Sequence, residues 1–425
     1  MTDLSHQRPE QIVRAAMETP RRTLAVGIDI AKTTHVARVV RGNGEELKER
    51  LAFSSSSEDL ARVAEWIRGL GLRCGTDCVL VGMEPTGLYW QVVYNSLLRA
   101  LPGGVFAVSP AVVAHSRYRH SSNLSKDDDS DALLIARAVI HGECFRPIQH
   151  TPLTAQMREA LWLYDRGRRA ERQAKQHVET MLCRAFPEAL HGAGTDAAEG
   201  ILVLLQDSAA PGMVAQVPEE LWISARIGRG RSRRTLRAFY RRAATSCNVG
   251  WVPDDIWLDT WRSAWIRWRD ARAHSTSVAT QIGALVARHP AAGSLMSIPV
   301  VAAITVAAFL AGVGDLSQYS CAAQAEKVFG LDFQRCQSGA SELKPRLSKR
   351  GFSLGLHYLY LAALRLTTAE HFGQWYKRRC AARGELGSNA VVFALAAKLV
   401  RIMFNIARSG EAFDPARALH TATHG

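Results

Sequence analysis

The chain lacks every arrangement of cysteine that would staple a fold or frame a metal. Its eight cysteines, Cys74, Cys78, Cys144, Cys183, Cys247, Cys321, Cys336 and Cys380, are scattered, with no CxxC pair and no CxxC…HxxxH frame. Cys74 and Cys78 stand four apart, but no second ligand pair follows at zinc-site spacing. Free thiols in a reducing compartment are the expectation. Long apolar runs are missing too. The longest, Ile298 to Ala311, falls short of the ~20 residues that cross a bilayer, and the stretch Val391 to Phe404 is broken by Lys398 and Arg401. Residues 1–22 hold no apolar signal-peptide core. No unit repeats at the period of a solenoid. These absences exclude a disulfide scaffold, a zinc finger, a membrane-spanning protein and a repeat array. They lead to the expectation of a cytoplasmic protein with no membrane partner.

Negative charge is scarce beside positive. Across 425 residues, 53 lysines and arginines face 39 acidic residues, a formal net charge of +14. Such an excess favours a polyanionic partner, nucleic acid first. The basic residues are concentrated: residues 226–242 hold eight arginines in seventeen positions. Among these, Arg229, Arg231, Arg233, Arg234 and Arg237 are candidate phosphate contacts. With 47% hydrophobic and 22% charged residues, the chain reads as globular, and its length suggests two or three domains.

Against this basic background, four acidic residues stand out by position. Asp29 closes the apolar run that starts at Leu24, and Glu84 closes the one that starts at Val79. Asp128 and Asp131 open an apolar helical stretch, three apart and so on one helix face. Asp127 and Asp131 would share a face equally well, so spacing alone leaves Asp127 and Asp128 open. A carboxylate at the end of a buried strand is held rigidly with its head out of the core. Several of them converging make a cage of hard oxygen ligands suited to Mg²⁺, with Mn²⁺ a substitute.

The pattern between these acids predicts their fold. Strands are expected over 23–30, 35–41, 45–53, 78–84 and 104–109, with a hairpin turn at Gly42-Asn43-Gly44. Helices are expected over 57–70, 88–100 and 128–141. Three antiparallel strands followed by alternating helices and strands is the order of an α/β ribonuclease H-like, resolvase-like domain, placed at 23–150 after a flexible tail at 1–22. From 151 to 290 the pattern is helical and polar, read as a long helical or coiled-coil region that serves for assembly. Trp257, Trp261, Trp265 and Trp268 fall on one helical face there, which reads as core in preference to a base-stacking platform. Residues 291–410 read as a mainly α-helical C-terminal domain with a loop at Cys336–Ser341, followed by a tail at 411–425.

Three motifs carry a resemblance. Gly27-Ile28-Asp29-Ile30-Ala31-Lys32, Glu84-Pro85-Thr86-Gly87-Leu88-Tyr89 and Lys126-Asp127-Asp128-Asp129-Ser130-Asp131-Ala132 resemble the signatures of the DEDD transposases of a bacterial insertion-sequence family that includes the Piv-type DNA invertases. Phe329-Gly330-Leu331, Gln337-Ser338-Gly339 and Ser348-Lys349-Arg350-Gly351 resemble its serine-bearing C-terminal domain. The match spans roughly residues 23–370 and selects Asp128 over Asp127. The chain departs from the family at Phe333, where a proline is usual, and at Val300 and Ala302, where glycines are usual.

The resemblance implies an RNA-guided DNA recombinase. Asp29, Glu84, Asp128 and Asp131 would hold Mg²⁺, and Ser338 would be the nucleophile of a phosphoserine-type intermediate. Lys32 and Lys126 of the motifs, and Lys344, Arg346, Lys349 and Arg350 near Ser338, become nucleic-acid contacts. The implied partners are donor and target double-stranded DNA, a structured noncoding guide RNA and further copies of the chain in a dimer or tetramer. A nucleoid-associated cytoplasmic location follows. Three other readings compete. An actin-like or sugar-kinase fold also opens with a strand ending in Asp, but its glycine-rich phosphate turn is replaced here by Ala31-Lys32-Thr33-Thr34. A junction-resolving nuclease would use the acids without the serine. An RNA-binding protein would use neither.

Overall fold

The computed structural model describes residues 18–419 apart from 19, 77, 88, 121–127, 191–194, 208, 228–231, 335–336, 339–340, 343–345, 349–350 and 385–387. The chain divides into two compact units, Met1–Ile148 and Gln149–Gly425.

The first unit is organised by a six-stranded sheet of order β3-β2-β1-β4-β5-β6. The strands are β1 (Thr23–Asp29), β2 (His35–Arg41), β3 (Glu46–Phe53), β4 (Cys78–Met83), β5 (Val105–Val108) and β6 (Cys144–Phe145). β1, β2 and β3 form an antiparallel meander, β4 and β5 run parallel to β1, and β6 closes the edge antiparallel to β5. Side chains alternate between the two faces of a strand. Leu24, Val26 and Ile28 join Val79, Val81 and Met83 beneath α1 (Ser57–Arg73) and α2 (Trp90–Ala100). Ala25, Leu80 and Phe106 turn the other way, toward α3 (Pro110–His120) and α4 (Asp128–Ile140). Burial on both faces explains why β1 and β4 read as unbroken apolar runs.

The five expected strands and three expected helices of this unit are present, with ends shifted by a few residues. This mixed α/β arrangement is consistent with the expected ribonuclease H-like domain. α1 is capped as its serine run suggests: Ser56 accepts from the Asp59 N–H at 3.2 Å, and Asp59 accepts from the Ser54 N–H at 2.7 Å. The two-residue β6 and the helix α3 were not in the sequence reading. Pro110 suits a first helical turn, but the polar run His115-Ser116-Arg117-Tyr118-Arg119-His120 gives α3 little apolar periodicity.

The second unit is helical. Its axis is α5 (Pro152–Ala185), followed by α6 (Thr195–Leu204), α7 (Pro211–Ala215), α8 (Glu219–Ser224) and α9 (Arg233–Ala244), and then α10 (Asp255–Ala287) returns along α5. Gly167 allows that approach, since a Cβ there would stand 3.1 Å from Ser275 Oγ. Beyond α10 come α11 (Ala292–Met296), α12 (Ala303–Val313), α13 (Ala322–Val328), α14 (Ser353–Leu366), α15 (Glu370–Arg383), α16 (Asn389–Ser409) and α17 (Pro415–Leu419).

The antiparallel pair joins two cores. At one end Val178, Met181 and Leu182 of α5 pack with Trp261, Trp265 and Trp268 of α10 and with α6–α9. The tryptophan stripe is therefore core: Trp261 donates to the Gln206 carbonyl at 3.1 Å and Trp265 to that of Leu202 at 3.3 Å, while the buried Trp268 Nε1 has no partner among the described residues. At the other end Met157 and Leu161 of α5 pack with Val278, Ile282 and Val286 of α10 and with α12, α14 and α16. Residues on either side of the expected boundary near 290 thus share one core. Helix α16 is long and apolar enough to cross a membrane by length and composition, but ten of its side chains, from Val391 to Ile406, are buried within the protein.

Candidate acidic site and serine finger

Register and parity bring the strand-end acids together. The last residues paired between β1 and β4 are Ile28 and Met83, so Asp29 and Glu84 follow at the same level on adjacent parallel strands. Asp29 has the parity of Ala25 and Gly27, and Glu84 that of Leu80 and Gly82. Both acids thus belong to the face covered by α4.

Two glycines bring α4 down onto that face. Gly27 and Gly82 are register partners, and each stands two residues before its acid. A Cβ on Gly27 would lie 1.9 Å from the Ala132 carbonyl oxygen and 2.5 Å from the Ala136 nitrogen. One on Gly82 would lie 2.3 Å from Val139 Cγ2 and 3.2 Å from Ile135 Cγ2. Neither glycine has a positive φ, so the requirement is for space. The trough seats the first turns of α4, and with them Asp131, over the end of β1. The sequence signal was the repeated pattern glycine-apolar-acid, Gly27-Ile28-Asp29 and Gly82-Met83-Glu84.

Asp131 is 2% exposed. Its partner is Arg117 of α3, which the sequence reading missed because α3 itself was missed. Arg117 Nε donates to Asp131 Oδ1 at 3.0 Å, and Nη2 lies 2.7 Å from both carboxylate oxygens. The hydrogen bond to Asp131 holds the guanidinium pKa above its ordinary value, and the charges of Asp131, Glu84 and Asp29 add to it. Arg117 therefore sits in the field of all three acids. Asp128 is exposed in the first turn of α4. Asp129, between them in sequence, faces the sheet edge, where Arg50 Nε donates to it at 2.8 and 3.1 Å.

The loop after Asp29 is also fixed. The Ala31 N–H donates to His35 Nδ1 at 3.3 Å, and His35 Nε2 lies 2.8 Å from Ser55 Oγ. Burial lowers the His35 pKa, which keeps the ring neutral with Nδ1 as acceptor. Lys32 in this loop is exposed.

The donor set suits a hard divalent cation: carboxylates from three elements belong to one face and one end of the strands. Among the described residues no three acidic, histidine or cysteine side chains are gathered closely enough to hold an ion as placed. At Asp131 the Arg117 guanidinium holds both carboxylate oxygens.

Ser338 lies on a different construction. Phe329 is buried in a slot that Gly312 and Gly355 leave open, where added Cβ atoms would stand 2.3 and 2.7 Å from its ring. The segment between this anchor and Phe352, whose N–H donates to the Val328 carbonyl at 2.7 Å, is an excursion between two core residues. The excursion is a β-finger. Its outer ladder pairs Phe333 with Leu347 and Gln334 with Arg346, and its inner ladder pairs Gln337 with Glu342 and Ser338 with Ser341. Ser348 N donates to the Asp332 carbonyl at 2.9 Å at the base. The expected loop at 336–341 is thus in part a hairpin that carries the Ser338 backbone. The Ser338 and Arg346 side chains lie outside the described residues, as do Lys126, Arg229, Arg231, Lys344, Lys349 and Arg350.

The arginine cluster is partly spent within the protein. Arg233 pairs with Glu220 at 2.5 Å, and Arg237 with Glu219 at 3.1 Å and Glu220 at 2.6 Å, tying α9 to α8. Arg234, Arg241 and Arg242 are exposed.

Two family models match the chain. A transposase model of the DEDD type found in IS110 elements matches residues 26–187. A second, for transposases of the IS116/IS110/IS902 family, matches residues 292–379. The first covers β1 through the end of α5, including Asp29, Glu84, Asp128 and Asp131, and the second covers the serine finger. No curated protein matches the chain. Both matched segments are thus similar to transposase domains of one group, that of the IS110 elements.

Proposed function

We propose that the protein cuts and rejoins DNA to move its own element, using a divalent cation at Asp29, Glu84, Asp128 and Asp131 and the hydroxyl of Ser338. The observation that supports the reading is that Asp29, Glu84 and Asp131 belong to one face and one end of the strands, within the field of Arg117. A cation held there supplies Lewis-acid stabilisation of the charge that develops on a scissile phosphate. The protein's own contribution is rigid placement: β1 and β4 fix two carboxylates, and the glycine trough fixes the third.

In this reading the Ser338 oxygen attacks the scissile phosphorus, its proton leaves to a base or water, and the DNA hydroxyl departs. The phosphoserine ester keeps the phosphodiester bond energy for rejoining to a second strand. Placement of Ser338 on a hairpin between the core residues Phe329 and Phe352 supports this use. The net charge of +14 and the exposed Arg234, Arg241 and Arg242 support nucleic-acid partners, donor and target DNA and a structured guide RNA whose base pairing reads sequence. Lys32 and the basic residues around Ser338 complete that surface. Assembly of copies through the α5–α10 region would bring two duplexes together.

The test is strand cleavage and exchange on element-end DNA with Mg²⁺ or Mn²⁺. Asp29→Ala, Glu84→Ala and Asp131→Ala should each lose roughly 100-fold or more in rate while keeping a wild-type far-ultraviolet circular dichroism spectrum. Ser338→Ala should form no protein–DNA adduct. Retained adduct in Ser338→Ala would remove the serine from the reading, and cleavage without exchange in that variant would turn it toward a junction-resolving nuclease. RNA bound to the purified protein and transcribed from the element's flank would support the guide.

A further inference from the structure

We propose that Arg117 guards the acidic site: its guanidinium occupies the cation's place at Asp131, so that cation loading and Arg117 release are a single exchange. The proposal rests on the reading of Asp29, Glu84 and Asp131 as a cation site.

The geometry is that of a substitute ion. Both oxygens of Asp131 are taken by Arg117, with Nη2 at 2.7 Å from each and Nε at 3.0 Å from Oδ1. Asp131 is 2% exposed, and a buried carboxylate without a positive partner is costly. One positive group is therefore needed there at all times. A divalent cation binds carboxylate oxygen at about 2.1 Å, which would place it hard against a guanidinium already on both oxygens. Two positive groups so close repel, and the same carboxylate cannot serve both. Exchange is open to Arg117 because its side chain keeps 27% of its surface exposed, against 3% for that of Asp131. The arginine can swing toward solvent, whereas the aspartate is fixed by α4 in its glycine trough.

The consequence is an Asp131 kept paired and a site closed to cations until they are present in sufficient amount. Arg117 is a positioning residue in this scheme, acting through Asp131.

The experiment is a Mn²⁺ titration of the full-length protein, read by calorimetry and by the electron paramagnetic resonance of free Mn²⁺, without DNA. Arg117→Ala and Arg117→Gln should bind Mn²⁺ at least about tenfold more tightly than wild type, because no competing cation has to leave. Their cation-free forms should melt below wild type and gain more from added Mn²⁺. Arg117→Lys, which keeps the charge without the fork, should fall between. Unchanged or weaker Mn²⁺ binding in folded Arg117→Gln overturns the exchange. Asp29→Ala separates the two ideas. Saturable binding that is lost in Asp29→Ala but unaltered in Arg117→Gln keeps the cation site and removes the guard. No saturable binding in wild type or in either Arg117 variant overturns the cation site and the guard together.

Discussion

Gly27→Ala is the sharpest perturbation of the acidic site that substitutes none of its acids. The added methyl would stand 1.9 Å from the Ala132 carbonyl oxygen and 2.5 Å from the Ala136 nitrogen. Carbon–oxygen contacts in proteins settle at about 3.3 Å or more, so the first turns of α4 must lift by about 1.4 Å. No side-chain rotation relieves this, because both obstructing atoms are backbone. Overpacking of this kind costs about 3 kcal/mol. The helix that lifts carries Asp131, and a displacement near 1 Å in a reacting constellation costs about 100-fold in rate. Gly82→Ala is the control on the same trough. Its methyl meets Val139 Cγ2 at 2.3 Å and Ile135 Cγ2 at 3.2 Å, atoms of side chains near the middle and end of α4, so a cost of about 1–2 kcal/mol is expected. Urea denaturation and DNA cleavage with Mn²⁺ are the assays. Gly27→Ala should lower the denaturation midpoint more than Gly82→Ala and lose far more cleavage than its loss of folded protein explains. A Gly27→Ala protein with wild-type midpoint and cleavage would refute the trough as the device that positions Asp131.

Two further outcomes are expected. Val300 has φ +68 and is 43% exposed, so a β-branched residue holds a left-handed conformation with little packing in return. Val300→Gly should raise stability by about 1 kcal/mol after the added chain entropy of glycine offsets part of the relieved strain, and a lower urea midpoint would contradict this. His150 is held down to about 4, by burial first and by the Arg158 charge second, and its Nδ1 has no partner among the described residues. Between its ordinary value of 6.5 and about 4 the unfolded chain takes up a proton that the folded chain refuses. The stability from neutral His150 is therefore complete above the ordinary value and is lost as pH falls through that window. His150→Gln should flatten the fall in denaturation midpoint between about pH 7 and about pH 5, and an unchanged slope would remove His150 as its source.

What the sequence legibly carried was local and periodic. Apolar runs ending in Asp29 and Glu84 mark strands buried on both faces. The turn Gly42-Asn43-Gly44 marks the hairpin, and the spacing of Asp128 and Asp131 marks one helix face. The tryptophan stripe of α10 was legible as core because a repeat of large apolar groups on one face has to be covered. α3 escaped because its second half is polar, and with it went Arg117.

The sequence alone determined that strands, helices and four acidic residues occur in this order, because side-chain period and chain direction are properties of neighbours along the chain. Only the tertiary structure decided that Gly27 and Gly82 stand side by side, that α4 lies in the space they leave, and that Arg117 closes on Asp131 across fourteen residues. Those facts depend on register between strands and on contact between elements distant in sequence, and no local pattern encodes either.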